Sequence, residues 1–345
     1  MERRMSSTAG NAVLGWIDSL RIGEPITHEQ MVLFPVFVGV GASDILTHLA
    51  YVTLGEAIAD GSVEVVEREH ASVPELVLRN RGESMVLVLD GEEIVGGKQN
   101  RIVNASFLVA AKSEVALPVT CVEHGRWHDV APNFKTGEAS FASLRMAKMG
   151  QVRDNIRERG QPMADQSAVW DTVAEQQSLF QTQSPTGAMN DIYRDSEDKL
   201  RGYEEAYPYV ESTIGMVVAL HGRMVGADMF DQPRTMKTLW PRLVRSYALD
   251  ALSRDGSSSP VGPERAKRSM ERAKTAKTET YQSLALGEDV RLEGEGVIGA
   301  ALVYEGIPIH TSLFRVRGGQ RRAGHAEETP NIARHSLRLR RRFGA

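Results

Sequence analysis

Residues 90–127 read DGEEIVGGKQNRIVNASFLVAAKSEVALPVTCVEHGRW, a stretch in which glycines, carboxylates, amides, two lysines and two arginines stand between runs of strand character. Structural turns rarely need so many functional groups in so few positions. Lys98, Gln99, Asn100 and Arg101, followed by Asn104, form its densest polar run. Arginine offers a rigid fork of donors, and Asn or Gln both donates and accepts, so the run suits recognition of phosphate, sugar hydroxyls or a base edge. It suits equally well a network that caps loops and satisfies buried backbone.

Glu92, Glu93 and Glu123 are the carboxylates available for general acid–base work. Neighbouring strand residues point to opposite faces, so a regular strand lets only one of Glu92 and Glu93 line a given pocket. Arg126 and Trp127 close the stretch with a cation for Glu123 and an aromatic face on which an adenine-like ring could stack, or which anchors the loop to the core. Gly91, Gly96 and Gly97 could bring backbone amides close to a phosphate, yet their spacing fits neither a P-loop nor a dinucleotide fingerprint, and ordinary turns explain them. Cys121, inside an apolar run, reads as a buried small hydrophobe. The nine histidines lack metal-ligand spacing and there is no Gly-x-Ser-x-Gly elbow, so neither a structural zinc nor a cofactor is expected.

The elements that must position these groups point to an α+β fold: a β-rich core built of hairpins, a helical insertion, and one packed helix in the C-terminal half. Residues 1–26 read as a partly ordered lead-in with one amphipathic turn around Val13, Trp16 and Ile17, and residues 27–315 as a single domain. Its first part, 31–130, is strand-rich, with Pro35 marking an edge or a bulge. In 133–208 apolar residues recur at helical spacing, as in Leu144, Val152 and Ile156, which reads as an insertion, cap or dimerisation arm. Residues 209–315 form hairpin, helix and hairpin: 217–230 lies over 301–314 without a gap, each with a polar-Gly turn that Asp90-Gly91 repeats. The helix between them is expected over 241–252 with Pro241 in its first turn, followed by a charged helix over 264–278.

With 345 residues and 41% hydrophobic content the chain can bury a large core. One cysteine excludes an intrachain disulfide and points to a reducing compartment, the cytoplasm. No run approaches the ~18 apolar residues of a membrane span, so a soluble protein without a membrane partner is expected. The segment 316–345 reads as a basic flexible tail; from Arg315 onward nine arginines stand against two glutamates, while the chain as a whole carries -4. Nucleic acid is a partner only through that tail.

The order Gly91-Glu92-Glu93, Lys98-Gln99-Asn100-Arg101, Asn104, Pro118-Val119, Cys121-Val122-Glu123 and Gly125-Arg126-Trp127 resembles the signature of the ADP-ribosylglycohydrolase (ARG) and rhodanese-phosphatase-superfamily-associated protein domain family. The likeness spans residues 27–315; His124 stands where the family pattern has Gln. The family is named for gene neighbours that process NAD and ADP-ribose. The resemblance therefore implies binding, and potentially processing, of an ADP-ribose-like or other phosphorylated nucleotide. Lys98 and Arg101 would then face phosphate, Gln99, Asn100 and Asn104 would orient the ligand, Glu92 or Glu93 with Glu123 would supply a carboxylate, and Trp127 would stack. The alternative is a non-catalytic module for homo-oligomeric assembly or interaction, with the polar stretch as a structural network.

Overall fold

Two hairpins with one grammar build the centre of the largest sheet: Gly215–Leu220 with Arg223–Phe230, and Val297–Tyr304 with Ile307–Arg315. Each turns on two residues of positive φ, His221 (49°) and Gly222 (72°) in one, Glu305 (51°) and Gly306 (79°) in the other. That is the two-residue turn whose twist matches the strands it joins. Just beyond each turn the register slips by one residue, leaving Val225 and Ile309 bulged at matching positions of the sequence repeat. The hairpins lie side by side, from Gly226 opposite Phe314 to Phe230 opposite His310. The similar start at Asp90-Gly91 makes no third hairpin. Glu92 N–H does bond the Leu89 carbonyl at 3.1 Å, but the flanking strands go to different sheets, so the turn is a corner between them.

The computed structural model describes residues 3–5, 8–39, 49–68, 74–128, 134–254 and 260–316. Its architecture is α+β and β-rich. The large sheet runs Arg3–Met5, Lys277–Gln282, Glu288–Gly294, the two hairpins, Met31–Val38, and then the short Leu20–Ile22 and Ile26–His28. Pro35 explains that split edge. Leu20–Ile22 pairs with Val36 to Val38 and Ile26–His28 with Met31 to Leu33, so the residue without an N–H falls in the gap. Its carbonyl still accepts from Gly23 N–H at 2.8 Å. A six-stranded sheet follows the order Lys135–Ala139, Glu92–Val95, Arg101–Val103, Ser113–Cys121, Glu75–Asn80, Val63–Val66. Phe107–Val109, Met85–Val88 and Tyr51–Thr53 form a third, whose last pair is parallel. Thr53 and Glu56 close a capping box on the helix Leu54–Ala59.

The N-terminal segment holds a full helix, Thr8–Asp18, longer than the single turn expected. Val13, Trp16 and Ile17 pack on one face of the large sheet beside Ala266, Met270 and Ala273 of the helix Pro263–Lys274. The opposite face meets the helices Ala142–Arg159, Gln166–Phe180, Met189–Asp195 and Glu197–Ala206. Their Leu144, Val173, Ile192 and Tyr203 share one apolar cluster with Met31, Met216 and Phe230. This helical region is therefore one wall of the core, and it opens with a strand, Lys135–Ala139. The helix between the hairpins is longer than expected, Pro233–Leu252, with Pro233 in its first turn and Pro241 in its interior. Proline normally stops a helix, which shortens a reading from sequence; buried Met236, Leu239 and Trp240 hold the earlier turns in place. The charged helix ends at Lys274 and Lys277 begins a strand. Residues 317–345 of the basic tail lie outside the described residues. No helix among the described residues is long and apolar enough to cross a membrane.

Candidate functional site

The polar stretch divides into two parts with different surroundings. In its second part the side chains bond mainly to one another. Arg126 grips Glu123 through Nε (2.8 Å) and Nη2 (2.6 Å), and donates to the Gly97 carbonyl (2.5 Å) and Asn100 Oδ1 (3.0 Å). Glu123 also accepts from Asn100 N–H at 3.0 Å and the Thr186 hydroxyl at 2.8 Å. Burial pushes the Glu123 carboxyl up, but these donors outweigh it and hold it below the ordinary range. Gln99 donates to the Glu123 carbonyl (3.1 Å), Asn104 accepts from Thr120 (2.7 Å), and wholly buried Arg101 pairs with Glu67 at 2.9 Å. Cys121 is buried, and burial raises its thiol. Lys98 and Trp127 are different: the ammonium lies 5.4 Å from the centre of an indole ring that is 50% exposed. An exposed ring does not anchor the loop.

The first part, Glu92 and Glu93, backs onto an open cleft of about 430 Å³. The edge strand Lys135–Ala139 supplies Thr136, Gly137 and Glu138; Met189–Asp195 supplies Asn190; Glu197–Ala206 supplies Glu197 and Glu204; and Pro233–Leu252 supplies Pro241, Arg242 and Arg245. Glu92 accepts from Arg242 Nη1 at 2.7 Å, and Arg242 Nη2 donates to Thr136 at 2.7 Å. Glu93 Oε2 accepts from Asn190 at 3.0 Å. Strand alternation leads one to expect a single carboxylate at any one pocket, yet both bond to residues of this wall. Between the Thr136–Ile94 and Ala139–Glu92 pairs, Gly137 and Glu138 face Glu93 alone, and this bulge wraps the edge strand around the two carboxylates.

Glu93 is the group with unusual acid–base character. Complete burial pushes it up to about 7; the Asn190 bond opposes this rise and the charge of Glu138 adds to it. Its Oε1 has no hydrogen-bond partner. Burial also raises Glu92, against the pull of Arg242. Arg245 is saturated by Glu138 (2.8 Å), Glu197 (2.8 Å) and Glu204 (2.7 Å). With three carboxylates against two guanidiniums the lining is acidic. Among the described residues no group of three or more His, Cys, Asp and Glu is arranged to hold a metal ion.

Reading from sequence overlooked most of this wall, together with a buried ionic layer next to it. Lys148 pairs with Asp90 and donates to the carbonyls of Val103 (2.9 Å) and Asn104 (3.0 Å). Arg145 makes a two-pronged pair with Asp228 (2.8 and 3.0 Å), which also accepts from Tyr247 at 2.8 Å. A signal was available: Arg145 and Lys148 lie on the stripe of Met149, Val152 and Ile156, the buried face of the helix Ala142–Arg159. Glu197 and Glu204 are likewise two turns apart on one helix, and Arg242 and Arg245 one turn apart on another.

Residues 19–314 match the model of the ARG and Rhodanese-Phosphatase-superfamily-associated Protein domain, ARPP-1. The chain belongs to this family. The ARPP-1 match takes in both the polar stretch and every residue of the cleft wall. The family name associates the domain with ADP-ribosylglycohydrolase and rhodanese-phosphatase contexts. No curated protein matches the chain. Two crystal structures of inactive CurK dehydratase mutants share 10% and 8% identity with it, each covering 86% of this chain and 94% of the other. Their TM-scores of 0.14 and 0.11 are too low to support any argument about the ARPP-1 fold.

Proposed function

We propose that the cleft binds the ribose end of an ADP-ribose-like nucleotide and that Glu93 is the acid–base group that acts on it. One observation carries this reading: a carboxyl that burial pushes up to about 7, with one oxygen unpartnered, lies directly beneath Gly137 in the cleft wall. A general acid–base group works best with a pKa near the operating pH. The volume of about 430 Å³ is of small-molecule size. Thr136, Glu138 and Asn190 offer donors and acceptors for sugar hydroxyls. The acidic lining disfavours pyrophosphate in the depth of the cleft, which leaves Arg242, still partly exposed, as the phosphate contact there. Lys98 with Trp127 is proposed as the surface contact for a phosphate or a flat ring, and Gln99, Asn100, Arg101, Asn104, Glu123 and Arg126 as the brace behind them. Protonated Glu93 would give its proton to the group leaving the anomeric carbon as water attacks that carbon, and the carboxylate left behind would take the extra proton of that water.

Calorimetric titration with ADP-ribose, NAD and ribose 5-phosphate, followed by chromatography of the products, tests the proposal on the wild type and on Glu93→Gln. The variant is expected to keep binding and to lose about 100-fold or more in turnover. Folded protein that binds none of the three overturns it. The closed Glu123–Arg126 network favours the second reading, a non-catalytic assembly module. In that case light scattering shows an oligomer that Arg126→Ala dissolves, and Glu93→Gln changes nothing.

A further inference from the structure

A serine, a histidine and an aspartate from three separate strands and loops meet outside the cleft. Ser106 Oγ lies 2.8 Å from His310 Nδ1 and accepts from Asp90 N–H at 3.0 Å. Because the Asp90 amide already donates to Oγ, the Ser106 proton is free to point at Nδ1. That arrangement leaves the His310 proton on Nε2, which has no hydrogen-bond partner and lies 3.6 Å from Asp228 Oδ1, a charged neighbour rather than a bonded one. The directions are those of a nucleophile, base and orienting carboxylate, with the two ring nitrogens exchanged relative to the usual triad. Phe230 stacks on the imidazole at 4.7 Å and 23°, which fixes its plane. His310 and Asp228 are buried, whereas Ser106 keeps a face to solvent.

Ser106 and His310 also line a cavity of about 10 Å³, with Ser312, Asp289 and Arg291 on its walls. That is about the space one water needs, in a setting polar enough to hold it. We propose that Ser106 is a nucleophile for acyl transfer, with His310 as its base, and that this site hydrolyses a small acyl ester. The acyl carbon is approached from the exposed side of Ser106, and the cavity holds the hydrolytic water. Long acyl chains have no room on the cavity side.

In the first half-reaction the bond from Oγ to the acyl carbon forms and the Ser106 proton passes to Nδ1. The ester C–O bond then breaks, and the leaving alkoxide takes that proton and departs as an alcohol. In the second half, water adds to the acyl carbon and gives its proton to Nδ1. The C–Oγ bond breaks, Oγ recovers the proton, and a carboxylic acid leaves. Arg291, on the cavity wall, is paired with Asp289 through Nε at 2.6 Å and Nη2 at 2.5 Å, so it brings no net charge to the oxyanion. Asp228 is a positioning residue that acts through its charge, 3.6 Å from Nε2 and not hydrogen-bonded to it, while the stacked Phe230 holds the ring. None of this depends on the reading of the nucleotide cleft.

The test is labelling of the full chain with a fluorophosphonate, located by peptide mass spectrometry, alongside hydrolysis of p-nitrophenyl acetate. The expected result is one adduct, on Ser106, absent in Ser106→Ala and slowed at least 10-fold in His310→Asn, in variants whose thermal melts show folded protein. Asp228→Asn should move the pH midpoint of labelling, which a loss of packing alone does not do. If His310→Asn fails to fold, the pH profile of the wild type decides: labelling that rises through a single ionisation supports the base, and a featureless profile overturns it. No adduct on Ser106 in folded wild type also overturns the proposal, as does labelling unaffected by His310→Asn.

Discussion

Gly137 presses so closely on Glu93 that a Cβ added there would stand 2.4 Å from Glu93 Oε2 and 2.7 Å from Val95 Cγ2. The cleft wall is one backbone thick at this point, and the wholly buried carboxyl packs against it closely because position 137 has no side chain. Gly137→Ala must push the carboxylate away from Asn190 or shift the edge strand. The expected cost is about 1–3 kcal/mol in chemical denaturation. Gly202→Ala is the control: nothing lies within 4 Å of its added Cβ. In a helix it should stabilise by up to about 1 kcal/mol. Equal effects of the two substitutions would show that Gly137 is not in contact with Glu93.

The raised pKa of Glu93 sets a pH dependence with a definite sign. Its folded value of about 7 lies above the ordinary 4.5, so the folded state holds a proton that the unfolded state has released. The stabilisation is fully present below about 4.5 and is lost as pH rises through 7. A shift of this size corresponds to about 3 kcal/mol. Glu93→Gln removes the charge to be buried, so its stability should stay flatter between pH 5 and 8 and exceed that of the wild type at pH 8. Parallel curves for the two proteins would show that Glu93 titrates normally.

Local grammar made some of this molecule legible before its structure. His221-Gly222 and Glu305-Gly306 announce tight turns, and Pro35 a broken edge, because each needs only its near neighbours. The cleft was not legible, since Glu93, Gly137, Asn190, Glu204 and Arg245 come from five elements and nothing in their spacing brings them together. The density of polar groups in 90–127 drew attention to the right strand but did not separate the roles within it. Arg126 and Trp127 are adjacent, and only tertiary burial tells the brace from the exposed ring. The bounds of strands Glu92–Val95 and Arg101–Val103 were not legible for the same reason, since buried Glu92, Glu93 and Arg101 break the apolar alternation that marks a strand.

That contrast between neighbours can be measured. Arg126→Ala leaves the buried Glu123 carboxylate without its guanidinium and frees the Gly97 carbonyl. Breaking a buried pair in this way should cost about 3 kcal/mol or more. Trp127→Ala removes a half-exposed ring whose recorded partner is the Lys98 ammonium, and should change stability by no more than about 0.5 kcal/mol. Its effect should show instead as weaker nucleotide binding, and as loss of the tryptophan fluorescence most open to acrylamide quenching. A Trp127→Ala variant as unstable as Arg126→Ala would make the indole part of the core.

Lys148 and Asp90 offer the most demanding test of the buried ionic layer. The ammonium is wholly buried, and burial lowers its pKa against the pull of Asp90. Replacing it with Met removes the donor for Asp90 and for the carbonyls of Val103 and Asn104 at once. The single substitution should therefore cost about 3–5 kcal/mol, the usual result of leaving one partner of a buried pair charged and alone. Adding Asp90→Asn removes that stranded charge. The double variant should recover a substantial part of the loss, and a coupling energy of at least about 1 kcal/mol should emerge from the four-protein cycle. Additive losses from the two substitutions would mean that Lys148 is held by the backbone carbonyls alone.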